Sequence, residues 1–181
     1  MGRVKVEEFD AISAHTISSY VSEYPSLAGM ISFELMKQRH AESVLKWMDV
    51  SSQKDDYGKW DWSDILNRRK KSHFINYVIT CNGSIEGMVS CRVDMHSKDI
   101  AIEYIQRQGG SPILKGRIVP LAVLQCAVIG FTLELETVSI KNPAPGLVSY
   151  YQTYLPSFQV EVDAKTQAVT RLCSAISTIV P

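Results

Sequence analysis

The sequence predicts a mixed α/β (α+β) fold in which a mostly antiparallel central sheet is flanked by helices, and three observations carry that prediction. Between Ser84 and Asp94 the odd positions Ile85, Gly87, Val89, Cys91 and Val93 are apolar or small, the period of a strand with one buried face. Asn82-Gly83 separates this run from the aromatic and β-branched run His73 to Cys81, and that dipeptide is the strongest short signal of a hairpin. Pro120 precedes the apolar run Leu121 to Leu133. Proline is accepted in the first turn of a helix, so a mostly buried helix follows the sheet.

The remaining elements are read in chain order. Arg3 to Phe9 predicts a first strand, and Ala11 to Val21 a short helix with Asp10 placed to cap it. Leu27, Met30, Ile31 and Leu35, then Val44, Leu45 and Met48, have helical spacing and predict one or two amphipathic helices over 26–49. The polar stretch 51–58 reads as a loop, and Trp60 to Leu66 enters a short helix that ends in Arg68, Arg69, Lys70 and Lys71. Asp99 to Arg107 predicts a third strand of the meander, with Ile100, Ile102 and Tyr104 on one face and Ala101, Glu103 and Ile105 on the other. A strand at Thr137 to Ile140, the breakers Asn142-Pro143-Ala144-Pro145-Gly146, a short aromatic helix Leu147 to Tyr154 and a strand Ser157 to Val162 follow. Val169, Leu172, Cys173 and Ile176 fit a helix slightly better than a strand.

A chain of 181 residues, 45% hydrophobic and 21% charged, has the composition of one globular domain spanning 1–181 and excludes disordered and fibrous classes. Nineteen basic residues balance nineteen acidic ones, so no global field draws the chain to nucleic acid or an anionic membrane. No apolar stretch reaches the roughly 18–20 residues of a membrane span. Cys81, Cys91, Cys126 and Cys173 lie in apolar stretches without metal-knuckle spacing, and are read as reduced core residues in a cytoplasmic protein. His15, His40, His73 and His96 are too scattered to propose a metal. There is no Gly-x-Ser-x-Gly elbow for a serine hydrolase and no phosphate-binding loop of the Gly-x-x-x-x-Gly-Lys-Ser/Thr type. Arg68 to Lys71 beside Trp60 and Trp62 offers charge and stacking to a nucleic acid, but cations at a helix carboxyl end satisfy its dipole without any partner.

Helices, a three-stranded meander, a long helix, a strand, a short helix with tyrosines and another strand form an order of elements that resembles the GNAT acyltransferase superfamily over about 73–162. Pro112-Ile113-Leu114-Lys115-Gly116-Arg117 through Asn142-Pro143-Ala144-Pro145-Gly146-Leu147 and Tyr151 looks like a poorly described bacterial branch of it. The resemblance implies an acyl-CoA N-acyltransferase-like fold, with acetyl-CoA as cosubstrate and an unknown amine as acceptor. Its coenzyme contacts would fall on Ile105, Lys115, Gly116, Arg117, Ile118 and Asn142, where helix amides and glycine let a pyrophosphate approach the backbone. Tyr150 or Tyr151 would be the general acid for the departing thiolate, and a base, commonly a carboxylate or a water chain, must take the proton of the amine, for which Glu103 is the candidate. The resemblance also implies that strand 99–107 splays from strand 137–141. The competing reading is a binding or interaction module that keeps the fold without coenzyme binding, and the two diverge at the turn 108–118.

Overall fold

The computed structural model describes residues 4–47, 60–71, 73–110 and 112–180. The predicted loop 51–58 therefore lies outside the described residues. A seven-stranded sheet in the order β1-β2-β3-β4-β5-β7-β6 organises the molecule. Its strands are β1 (Ile31–Leu35), β2 (Phe74–Cys81), β3 (Ser84–Asp94), β4 (Asp99–Arg107), β5 (Thr137–Lys141), β6 (Gln159–Val162) and β7 (Val169–Ala175). All neighbours are antiparallel except β4 and β5, which run parallel. Helices α1 (Val6–Glu23) and α4 (Ile118–Thr132) cover one face, while α2 (Gln38–Ser43) and α3 (Trp62–Arg68) cover the β1–β4 half of the other. A short helix α5 (Val148–Gln152) follows β5.

The hairpin β2–β3 turns at Asn82 and Gly83, both with positive φ (49° and 78°), which is the backbone that Asn-Gly sequences accept at low cost. Helix α4 is apolar on every side because β3, β4, β5 and α1 all pack on it, and Pro120 sits at its third position, where no intrahelical donor is lost. Trp62 is buried at the start of α3 and its Nε1–H donates to Gln106 Oε1 on β4. That bond anchors α3 to the sheet, and the Asp61 carboxylate caps the helix by accepting from Asp64 N–H at 3.0 Å.

Four expectations are corrected. Residues from Val6 onward are helical, so among the described residues no strand occupies 4–9, and Asp10 lies inside α1 instead of capping it; Arg3, the start of the predicted strand, lies outside the described residues. Glu7 and Glu8 in the first turn suit the positive end of that helix. Ile31–Leu35 is a strand within the segment read as helical: Ile31 and Phe33 point into the core and Ser32 and Glu34 away from it. Val169–Ala175 is also a strand, β7, inserted between β5 and β6. The fourth correction concerns β4. Ser90 pairs with Tyr104 and Cys91 with Ile102, so Glu103 is an extra residue, and this bulge exchanges the faces beyond it. Ile105 joins Ile100 and Ile102 against α1 and α4, whereas Tyr104 packs with Trp60 and Trp62.

Candidate active site

Two strands of one pair carry bulges, and each extra residue is a glutamate. In β3, Thr80 pairs with Ile85 and Ile79 with Gly87, which leaves Glu86 without a partner on β2, although its carbonyl accepts from Gln108 N–H at 2.9 Å on the other side; in β4 the extra residue is Glu103. Glu86 is buried, and its carboxylate accepts the backbone N–H groups of Ile113 (3.2 Å) and Leu114 (2.6 Å). Charge-assisted bonds of this kind hold the turn ahead of α4 in one conformation. Sequence reasoning missed Glu86, because nothing in the polar and apolar alternation of β3 marks a bulge.

The turn so held presents Lys115, Gly116, Arg117 and Ile118. Gly116 has φ +77°, and a Cβ built on it would meet nothing within 4 Å, so its outer side is open. Ile118 turns inward instead, where its side chain lies on Gly87: a Cβ at residue 87 would come within 2.9 Å of it. The bulk of Ile118 therefore leaves the outer surface of the turn clear. Among the described residues no hydrogen bond engages the N–H groups of Gly116, Ile118 or Val119. Lys115 is exposed. Arg117 is already engaged, its guanidinium 4.3 Å from the ring centroid of Tyr24 and its Nη1 donating to Tyr20 Oη at 3.5 Å. It fastens the turn to α1.

Beside the turn the sheet opens. Parallel pairing of β4 with β5 runs from Asp99 opposite Thr137 to Ile102 opposite Ile140 and stops there, so the β5-facing edge of 103–107, including Ile105, is left without a strand. The predicted splay is present and begins at the Glu103 bulge. Asn142, just past the end of β5, is exposed with φ 45°, and its N–H donates to Thr170 O at 2.8 Å. Tyr150 on α5 spans back to the turn and donates to Gly116 O at 3.2 Å. Burial and the neighbouring Tyr154 raise its pKa to about 12. Tyr151 points the other way into the core, and burial raises its pKa also. The structure thus brings Tyr150 together with Gly116 but keeps both tyrosines away from Glu103.

Glu103 stands on the opposite face of the opening between two arginines. Arg69 Nη2 donates to its Oε2, and Arg92 Nε lies 3.2 Å from its Oε1 without the geometry of a hydrogen bond. Arg69 is 4.5 Å from the ring centroids of both Phe74 and Tyr104. Of the basic run 68–71, then, Arg68 pairs with Asp64 and Arg69 is committed to Glu103, which argues against a nucleic-acid surface there. Spacing in the sequence gives no hint of the Arg69–Glu103–Arg92 cluster, since its members come from three separate elements. No group of three or more His, Cys, Asp or Glu side chains placed to hold a metal occurs among the described residues.

No protein-family model matches the chain, and no curated protein matches it in sequence. Solved structures do match. The spermidine N-acetyltransferase of Vibrio cholerae in complex with CoA and spermine superposes with a TM-score of 0.57 at 11% identity, covering 84% of this chain and 99% of that one. A chimera of the Vibrio cholerae spermidine N-acetyltransferase gives 0.61 at 11% identity over 83% and 98% of the two chains. The ribosomal-protein-S18-alanine N-acetyltransferase of Escherichia coli gives 0.56 at 8% identity over 81% and 94%. The chain has the GNAT N-acetyltransferase fold.

Proposed function

We propose that the protein is an acyl-CoA dependent N-acyltransferase that passes an acetyl or related acyl group to an amine by direct attack on the thioester. The observation that carries this reading is the opening between β4 and β5, with an ordered, unobstructed turn at one end and a carboxylate bulge at the other. The residues present fit the coenzyme. The free N–H groups around Gly116 and the exposed Lys115 suit a pyrophosphate, and the unpaired edge of β4 suits an amide-containing arm. Acetyl-CoA, when bound, supplies the activated acyl group.

Each residue then has a defined task. Gly116, Ile118 and Lys115 hold the phosphates, Arg117 keeps the turn on α1, and Ile105 lines the arm on the core side. Asn142, just past the end of β5 and tied to β7 through Thr170, holds the far wall of the opening. Glu103 accepts the proton of the attacking amine, directly or through one water. Of the two tyrosines we assign the leaving-group position to Tyr150, whose hydroxyl must leave the Gly116 carbonyl to reach the sulfur, with Tyr151 packed into the core. With its pKa near 12, Tyr150 acts as a hydrogen-bond donor to the departing sulfur, because complete transfer to a thiolate, whose thiol has a pKa of roughly 8.5, runs uphill. The four free, buried cysteines accord with a reducing cytoplasm, and among the described residues no helix is long and apolar enough to cross a membrane.

Calorimetric titration with acetyl-CoA tests the proposal. Saturable binding, competed by CoA, is the expected result. A flat trace at millimolar ligand would overturn it and leave a binding module built on the same fold.

A further inference from the structure

Two arginines flank Glu103, and they differ in exposure. Arg69 is sequestered, its side chain only 13% exposed between two aromatic rings, and its charge is matched by Glu103. Arg92 differs, with 40% of its side chain exposed. It lines an open cleft with His73, Val93, Asp94, Met95 and His96. The one acid of that lining, Asp94, is held by its turn, where Oδ1 accepts the backbone N–H groups of His96 and Ser97 at 3.0 and 3.2 Å, and it shares the field of Arg92. His73 packs on Phe74 with ring centroids 4.2 Å apart, which fixes one wall. The cleft therefore offers an arginine fork and two imidazoles to a ligand, one side chain away from the group that would receive the proton of the amine.

We propose that the acceptor is an amine that also carries a carboxylate, and that Arg92 binds this carboxylate and thereby orients the amine toward Glu103. The inference rests on the acyltransferase reading. A guanidinium matches a carboxylate with two parallel hydrogen bonds. A polyamine would instead bring positive charge onto Arg92. Arg92 is thus a specificity determinant: the Arg69 side of Glu103 faces the protein, and the Arg92 side faces the acceptor.

The experiment measures thiol release from acetyl-CoA with amino acids, their carboxamides and spermidine as acceptors. The amino acids should exceed their carboxamides in kcat/KM by at least tenfold. Arg92→Ala should abolish that preference, raising KM more than it lowers kcat, and Arg92→Lys should restore part of it. Independently of turnover, titration with N-acetyl-L-alanine in the absence of coenzyme should shift the ring proton resonances of His73 and His96, whereas N-acetyl-L-alaninamide should not, and Arg92→Ala should remove the response. Equal use of acid and amide, a preference for spermidine, or histidine resonances indifferent to both probes would overturn the inference while leaving an acetyltransferase. Absence of acetyl-CoA binding would instead overturn the reading on which it rests.

Discussion

At the scale of single residues, Gly116 and Glu103 bear the most specific expectations. The space outside Gly116 is open, so Gly116→Asp does not clash; it places a negative charge where phosphate is expected and forces an L-residue to φ +77°. The strain costs about 1–2 kcal/mol at most and less for aspartate, which tolerates this region. Acetyl-CoA affinity should fall at least tenfold, about 1.4 kcal/mol, while thermal unfolding stays cooperative. Affinity equal to that of the parent would remove the phosphate site from the turn. Glu103→Gln keeps the shape of the side chain and deletes its ability to take a proton. Its turnover should drop roughly a hundredfold or more, with coenzyme affinity retained, and the loss of a charged partner for Arg69 should cost about 1–3 kcal/mol of stability. Unchanged turnover would mean that the proton leaves by another route.

At the scale of elements, the packing of α4 on β3 depends on a small residue facing a large one. A Cβ at Gly87 would lie 2.9 Å from both Cδ1 and Cγ2 of Ile118 and 3.4 Å from Ile79 Cβ. Gly87→Ala should therefore destabilise by about 1–3 kcal/mol, and Gly87→Ala combined with Ile118→Ala should lose less than the two single changes added, because the double variant relieves the overlap. Urea denaturation of the four proteins measures this coupling, and strict additivity would refute it. The meander β2–β4 was legible because a hairpin turn and period-two alternation coincide there. β1 was not, since five residues sit in a stretch where Leu27, Met30, Ile31 and Leu35 imitate helical spacing. β7 was hidden for another reason: it lies between two strands, with Leu172 on the helix-covered face and Cys173 on the other, both buried. A strand buried on both faces loses its alternation. The bulges at Glu86 and Glu103 escaped for a third reason, because an unpaired residue is a property of two strands and neither sequence alone specifies the register. Glu103 was singled out as a carboxylate of β4, whereas its arginine partners depended on contacts between distant segments.

At the scale of the whole molecule, two half-sheets, β1–β4 and β5–β7–β6, meet along a seam of only four residue pairs. Asp99 closes the end of that seam opposite the opening. It is buried, and its two oxygens accept from Thr137 Oγ1 and Ser139 Oγ, each at 2.8 Å, while Arg171 Nη2 of β7 lies 3.2 Å from Oδ1. One carboxylate thus ties three strands from both halves. Asp99→Asn preserves the volume but removes the charge, leaving Arg171, itself largely buried, with the exposed Glu161 as its remaining ionic partner. Breaking a buried pair in this way costs about 3–5 kcal/mol, a large share of the roughly 5–15 kcal/mol that a domain possesses. The urea midpoint should fall accordingly with the slope unchanged, as expected when stability alone is altered. Because the substitution is remote from the turn at Gly116, the folded variant should still bind acetyl-CoA, and a hundredfold excess over Kd should return about 2.7 kcal/mol through binding to the native state. A midpoint equal to that of the parent would show that backbone pairing and core packing hold the seam without Asp99, and a lowered midpoint that coenzyme fails to raise would show that the seam and the opening act as one unit.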